Sequence, residues 1–256
     1  MQAEMFTIVG LGFILGLKHA FDADHLIAVS TIVSERKKLL SSSLVGALWG
    51  IGHTISLLLV GCLVIAFQFN IPEQIAAIME LAVAGMLIIL GLQVLWKLFK
   101  GEMIHVHVHE HNGHKHIHPH IHPFKSMHQH TVDEPHHHER RTSLLERVLV
   151  HVANSKRSII IGMVHGMAGS AALMLLVLAT IKSTALAIIY IVVFGLGSVG
   201  GMMLMSTLIG LPFMLTAGKS IAVNRIIRGV AGVTSVAFGL FLAWQIGVVG
   251  KLFNSP

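Results

Sequence analysis

The chain has 256 residues, of which 54% are hydrophobic and only 12% charged, with a mean hydropathy of +0.77. Soluble domains carry roughly 25% charged residues, so this chain has too little polar surface to coat a water-soluble globule and reads as an integral membrane protein. Its positive balance, 18 Lys+Arg against 12 Asp+Glu, falls in loops between apolar runs, where membrane topology explains it better than a nucleic-acid partner, and the single Cys62 excludes an intramolecular disulfide or paired-cysteine metal site.

Apolar windows of about 20 residues predict six membrane-spanning helices, at about 5–33, 43–67, 73–98, 158–181, 185–214 and 222–249. The first is longer than a bilayer needs, so a tilt or a break is expected near Gly10, Gly12 and Gly16. It lacks a basic leader and a small-residue cleavage site, so no removable signal peptide is expected. Inside this span lies Lys18-His19-Ala20-Phe21-Asp22-Ala23-Asp24-His25. Ionisable groups in a bilayer cost at least about 2.5–3.5 kcal/mol each, so this cluster demands compensation. Two imidazoles and two carboxylates suit a borderline divalent cation such as Ni²⁺, Co²⁺ or Zn²⁺. On a continuous helix His19, Asp22 and His25 share a stripe about 120° wide, with Asp24 on a flank; all four converge only if the helix unwinds. A blander reading pairs Lys18 with Asp22 at i,i+4.

Span two contributes His53 within Gly50-Ile51-Gly52-His53-Thr54, where the glycines allow close helix approach. After span three, residues 100–142 form a polar, histidine-rich stretch with Pro119, Pro123 and Pro135, read as a disordered metal-binding loop. Its histidines are His105, His107, His109, His111, His114, His116, His118, His120, His122, His128, His130, His136, His137 and His138. Most imidazoles are neutral at pH 7 and free to ligate. Residues 143–157 read as an amphipathic interfacial segment. Span four carries His165, and span five carries Met202, Met203 and Met205, which as buried thioethers serve packing more often than ligation.

The halves 1–99 and 158–256 resemble each other. Gly16-Leu17-Lys18-His19 matches Gly162-Met163-Val164-His165, Gly50-Ile51-Gly52-His53 matches Gly195-Leu196-Gly197-Ser198, and Val83-Ala84-Gly85 matches Val230-Ala231-Gly232. Copies of three spans enter the membrane from opposite sides, which predicts a 3+3 inverted repeat with a site where the halves meet. Ala168, Ser170 and Ala171 stand where span one has Asp22, Asp24 and His25, so the site should be asymmetric. Fifteen of the basic residues fall on one side of the predicted spans, only Lys182 and Lys251 on the other, and Lys18 within span one. That places both termini outside and residues 99–157 in the cytoplasm.

His19-Ala20-Phe21-Asp22-Ala23-Asp24-His25 resembles the HX4DH signature of the nickel/cobalt transporter (NiCoT) family, including its short, six-span urease-accessory branch. The Gly52-His53-Thr54 block and Gly162 through Ala171 fit that branch, whereas the eight spans and second-half acidic motifs of longer members are missing. The resemblance implies high-affinity transport of Ni²⁺ or Co²⁺ across a prokaryotic plasma membrane, with His19, Asp22, Asp24 and His25 essential and His53 contributing. His165 joins them through its match to His19, with Lys18 as charge partner. No cofactor beyond the transported ion is expected; the partners are the ion, the bilayer and a candidate cytoplasmic metallochaperone. Efflux by the same fold stays open, as do two enzymes: an HX4D acyltransferase using His19 and Asp24, and a metallohydrolase with Glu80 as base. A metal store or sensor would leave the span-one cluster unexplained.

Overall fold

The computed structural model describes residues 2–36, 38–67, 72–100, 103–111, 114–122, 156–168, 181, 183–217 and 220–249. In chain order these form α1 (Gln2–His19), α2 (Ala23–Val33), α3 (Leu39–Phe67), α4 (Glu73–Phe99), β1 (Met103–His111), β2 (His114–His122), α5 (Lys156–Ala168), α6 (Thr184–Ala217) and α7 (Ile221–Trp244), which ends in a π-turn at Gln245–Val249. Helices α3, α4, α6 and α7 are long and apolar enough to cross a membrane, and α1 with α2 adds one bent pair. The chain is therefore a multi-pass helical membrane protein. The predicted fourth span is described only over α5; its remainder at 169–180 lies outside the described residues.

Large apolar side chains such as Leu59, Ile89, Leu208 and Val233 point outward, and the interior mixes apolar side chains such as Trp49, Leu57 and Leu87 with buried serines, including Ser42, Ser198, Ser206 and Ser235. In lipid there is no hydrophobic gain from burying leucine, so helices associate by close backbone approach and interhelical hydrogen bonds. Thr54 Oγ1 donates to the Gly195 carbonyl at 3.3 Å, Ser56 Oγ to the Met163 carbonyl and Ser235 Oγ to the Leu87 carbonyl, both at 2.8 Å.

Helix α1 packs on α6, α3 on both α5 and α6, and α4 on α7, with α2 wedged between α4, α6 and α7. The tightest seams come in matching pairs. A Cβ on Gly16 of α1 would overlap the Phe194 carbonyl oxygen of α6; one on Gly162 of α5 would overlap the Trp49 carbonyl oxygen of α3. Trp49 and Phe194 are the residues just before the matched glycines Gly50 and Gly195. Likewise Gly197 abuts the Phe13 carbonyl and Gly52 the Ile159 carbonyl.

Two expectations are corrected. The first span does not break at Gly10, Gly12 or Gly16: α1 runs on to His19, and the chain bends by 55° between α1 and α2. Gly12 and Gly16 instead let α1 lie against Tyr190 and Phe194. At the break the hydrogen bonds tighten to i→i−3, Phe21 N to the Lys18 carbonyl and Asp22 N to the His19 carbonyl. Asp22 then turns extended (φ −62°, ψ 147°) as N-cap of α2, its carboxylate making no cap hydrogen bond and turning to His19 instead.

The second correction concerns the disordered loop. Residues 103–111 and 114–122 form an antiparallel hairpin, in register His105↔His120, His107↔His118, His109↔His116 and His111↔His114. Histidines alternating with Val and Ile have the period of a strand, and Asn112-Gly113 between them is a strong hairpin sequence. The compositional signal for disorder hid that period. His128, His130 and His136–His138, and nearly all of the amphipathic segment at 143–157, lie outside the described residues.

Candidate metal centre

Every intramembrane histidine singled out in the sequence meets at the α1–α2 break. His19 closes α1, Asp22 caps α2, Asp24 and His25 lie in the first turn of α2, His53 sits midway along α3 and His165 in the last turn of α5. All four imidazoles are buried, none more than 7% exposed. The ring of His25 is central: its centroid is 4.5 Å from that of His19, 5.3 Å from His53 and 4.2 Å from His165. His19 lies 5.1 Å from His53.

The unwound break brings Asp24 in from its helical flank. One carboxylate oxygen, Oδ1, accepts from the backbone N of His25 at 2.9 Å and from His25 Nδ1 at 3.1 Å; the other, Oδ2, accepts from His165 Nε2 at 2.9 Å. Asp22 is half exposed and plays the same part for one ring, accepting from His19 Nδ1 at 2.7 Å. An ionised carboxylate only accepts, so each imidazole nitrogen facing one carries the proton. The opposite nitrogens, Nε2 of His19, Nε2 of His25 and Nδ1 of His165, are then unprotonated lone pairs. All three are buried and have no hydrogen-bond partner among the described residues. Buried polar atoms are normally satisfied, and a carboxylate behind an imidazole is the usual arrangement for orienting a metal-ligating histidine.

Ligand atoms from His19, His25 and His53 all lie within 4.8 Å of one another, as do those of Asp24, His25 and His165. Metal–imidazole bonds of about 2.1 Å require only a modest contraction of the first group around one ion. The partly positive N-terminus of α2 meets Asp22 and Asp24, and that helix end favours a carboxylate.

Lys18 is exposed, and Asp22 pairs with His19 rather than with Lys18, so the expected Lys18–Asp22 contact is not formed among the described residues. Glu80 is exposed on α4 and outside the cluster. Met202 is packed in the apolar core with Ala28 and Trp49, whereas Met203 is 45% exposed. Arg225 and Arg228 lie inside α7, and Arg228 is buried. Two aromatic walls were not anticipated. Trp49 stacks on His25 at 5.6 Å and 16°, and Phe194 lies 5.6 Å from His19. Trp49 precedes His53 by four residues, so helical spacing already put both on one face of α3.

Buried imidazole lone pairs backed by carboxylates, inside an apolar helical bundle, are what a membrane carrier of transition-metal ions requires. Comparison with known proteins gives the particular family: residues 5–251 match the model described as "High-affinity nickel-transport protein" (NicO), and the chain belongs to that family. The family is one of transporters rather than enzymes. The chain is also 36% identical over 253 residues to a protein named urease accessory protein UreH from Bacillus sp. (strain TB-90), covering 99% of this chain and 97% of that one. No solved structure matches.

Proposed function

We propose that this protein carries Ni²⁺, and on the same donors Co²⁺, across the membrane through the His19–His25–His53 cluster. The observation that carries this reading is the convergence of three buried imidazoles, with ligand atoms within 4.8 Å, at a helix break midway along a span. His165 and Asp24 form the adjoining half of the site, and Asp22 and Asp24 act by holding imidazoles in their ligating tautomer. The ion is cargo, and no resident cofactor is proposed.

The paired glycine seams support six spans in a 3+3 inverted repeat. Exchanging the halves maps α1 on α6 onto α5 on α3, and Gly16–Phe194 onto Gly162–Trp49. In that arrangement the halves rock about a fixed central site. Transport is inward, the direction the family resemblance implies, with both termini outside and residues 99–157 in the cytoplasm. There the histidine hairpin buffers arriving ion and passes it to a metallochaperone.

The test is Ni²⁺ influx into proteoliposomes holding a metal-sensitive dye, wild type against His25→Ala. Influx abolished by the substitution supports the reading; equal influx in both removes the cluster from the path. Loading the ion inside the vesicles instead reads efflux.

A further inference from the structure

We infer that the indole N–H of Trp49 holds a water molecule that the transported ion retains when it binds, making Trp49 a positioning residue for a partly hydrated ion. The inference rests on the reading that the imidazole cluster binds the cargo. Trp49 is 0% exposed and lies against two of the rings, parallel to His25 and edge-on to His165, each with centroids 5.6 Å apart. Its Nε1 is buried and has no hydrogen-bond partner among the described residues. Indole nitrogen is a donor only and cannot ligate a cation. A donor buried beside a cation site needs an acceptor, and leaving it unmet costs more than an ordinary hydrogen bond is worth.

The position of the indole says where that acceptor lies. A Cβ on Gly162 would press on Trp49 Cδ1, the atom bonded to Nε1. The N–H edge is therefore on the α5 side, one helical turn before His165, whose Nδ1 lone pair is also buried without a partner. A donor and a lone pair on one side of the cluster are the requirements of a water molecule, and a water already bound to the ion meets them without crowding the metal. Phe194, which occupies the matching place beside His19, offers no donor. The retained water is thus placed on the His25–His165 side. Keeping it also spares the ion part of its dehydration.

The test uses the full-length protein in detergent, titrated with Ni²⁺ against a competing dye, with the His25→Ala titration subtracted to remove ion held elsewhere. Trp49→Phe keeps a stacked ring and deletes the N–H; it should weaken Ni²⁺ binding about five-fold, the worth of one hydrogen bond. Trp49→Leu removes the stack too and should weaken it further. Trp49→Phe binding like wild type, with only Trp49→Leu impaired, would overturn the proposal in favour of stacking alone. Independently of any change at Trp49, the W96F/W244F variant leaves it the sole tryptophan, since both replaced residues are exposed on the outer surface. Ultraviolet resonance Raman should then show the indole N–H become more strongly hydrogen-bonded when Ni²⁺ is added, and an unchanged spectrum overturns the proposal. Wild type binding no more Ni²⁺ than His25→Ala would instead remove the metal site itself.

Discussion

Replacing Asp24 with asparagine should weaken Ni²⁺ binding about 10–100-fold, and most of the loss should pass through His165. Three donors converge on this carboxylate: His25 N at 2.9 Å, His25 Nδ1 at 3.1 Å and His165 Nε2 at 2.9 Å. Asparagine keeps one oxygen and puts an NH₂ group where the other stood. If the oxygen stays with the two His25 donors, the amide nitrogen faces His165 Nε2, donor against donor. His165 relieves this by moving its proton to Nδ1, and its lone pair is then lost to the site. One hydrogen bond to a charged acceptor is worth about 1.5–3 kcal/mol, or roughly 10–150-fold in affinity. That agrees with the 10–100-fold typical when the group behind a ligating histidine is removed. A double-mutant cycle with His165→Ala isolates the route: once His165 is gone, Asp24→Asn has less to remove, and the coupling should be about 1 kcal/mol. Isothermal titration with Ni²⁺ gives all four corners. Losses that add to within about 0.5 kcal/mol, or an Asp24→Asn variant that binds like wild type, would refute the reasoning.

Asp22→Asn should cost less than ten-fold, because Asp22 makes one such bond, is half exposed, and an amide oxygen can still accept from His19 Nδ1; the same titration checks it. Leucine at Gly16 or at Gly162 should destabilise the bundle by comparable amounts, about 1–3 kcal/mol from over-packing. Leucine at Gly10, where nothing lies within 4 Å, should not, and thermal unfolding in detergent distinguishes them. Serine at the nine histidines of the hairpin should lower the number of Ni²⁺ bound per chain while leaving the His25-dependent influx in place, as equilibrium dialysis and the vesicle assay will report.

The local part of the site was legible in the sequence. Four ionisable residues inside an apolar run, His19, Asp22, Asp24 and His25, could not be explained by packing alone, and helical geometry even stated the condition for Asp24 to join the others: the helix must unwind. It does, at Ala20–Asp22. His53 and His165 are another matter. Asp24 and His165 are 141 residues apart in sequence, and no spacing rule reaches that far; only the match between halves hinted that His165 belongs with His19. Trp49 was unreadable because a tryptophan in an apolar span is ordinary, and its buried N–H acquires meaning only once the neighbours are known. The hairpin was missed for a different reason: composition spoke for disorder, and the two-residue period of His105 through His111 was weighed as histidine content rather than as strand pattern.

The seams and the site obey different symmetries, and the difference bears on how the ion moves. Gly16 on Phe194 and Gly162 on Trp49 are alike, so the backbone packing favours neither half. The donors are not alike: span one supplies two imidazoles and two carboxylates, Ser198 stands where His53 has its counterpart, and Phe194 where Trp49 has its own. Under the proposed rocking of one half against the other, these seams are contacts that have to shift. The ligands on the α1–α2 break would stay together throughout, because His19, Asp22, Asp24 and His25 belong to one continuous stretch and are tied by their own hydrogen bonds. His53, on α3, belongs to that same half, whereas His165, on α5, belongs to the other, with Gly166 abutting the His53 carbonyl across the seam. At the site itself, the halves are linked by the Asp24–His165 hydrogen bond, at 2.9 Å. Under the proposed rocking, that bond would lengthen as access changes, which would release His165 from its fixed tautomer and loosen the ion as the site opens.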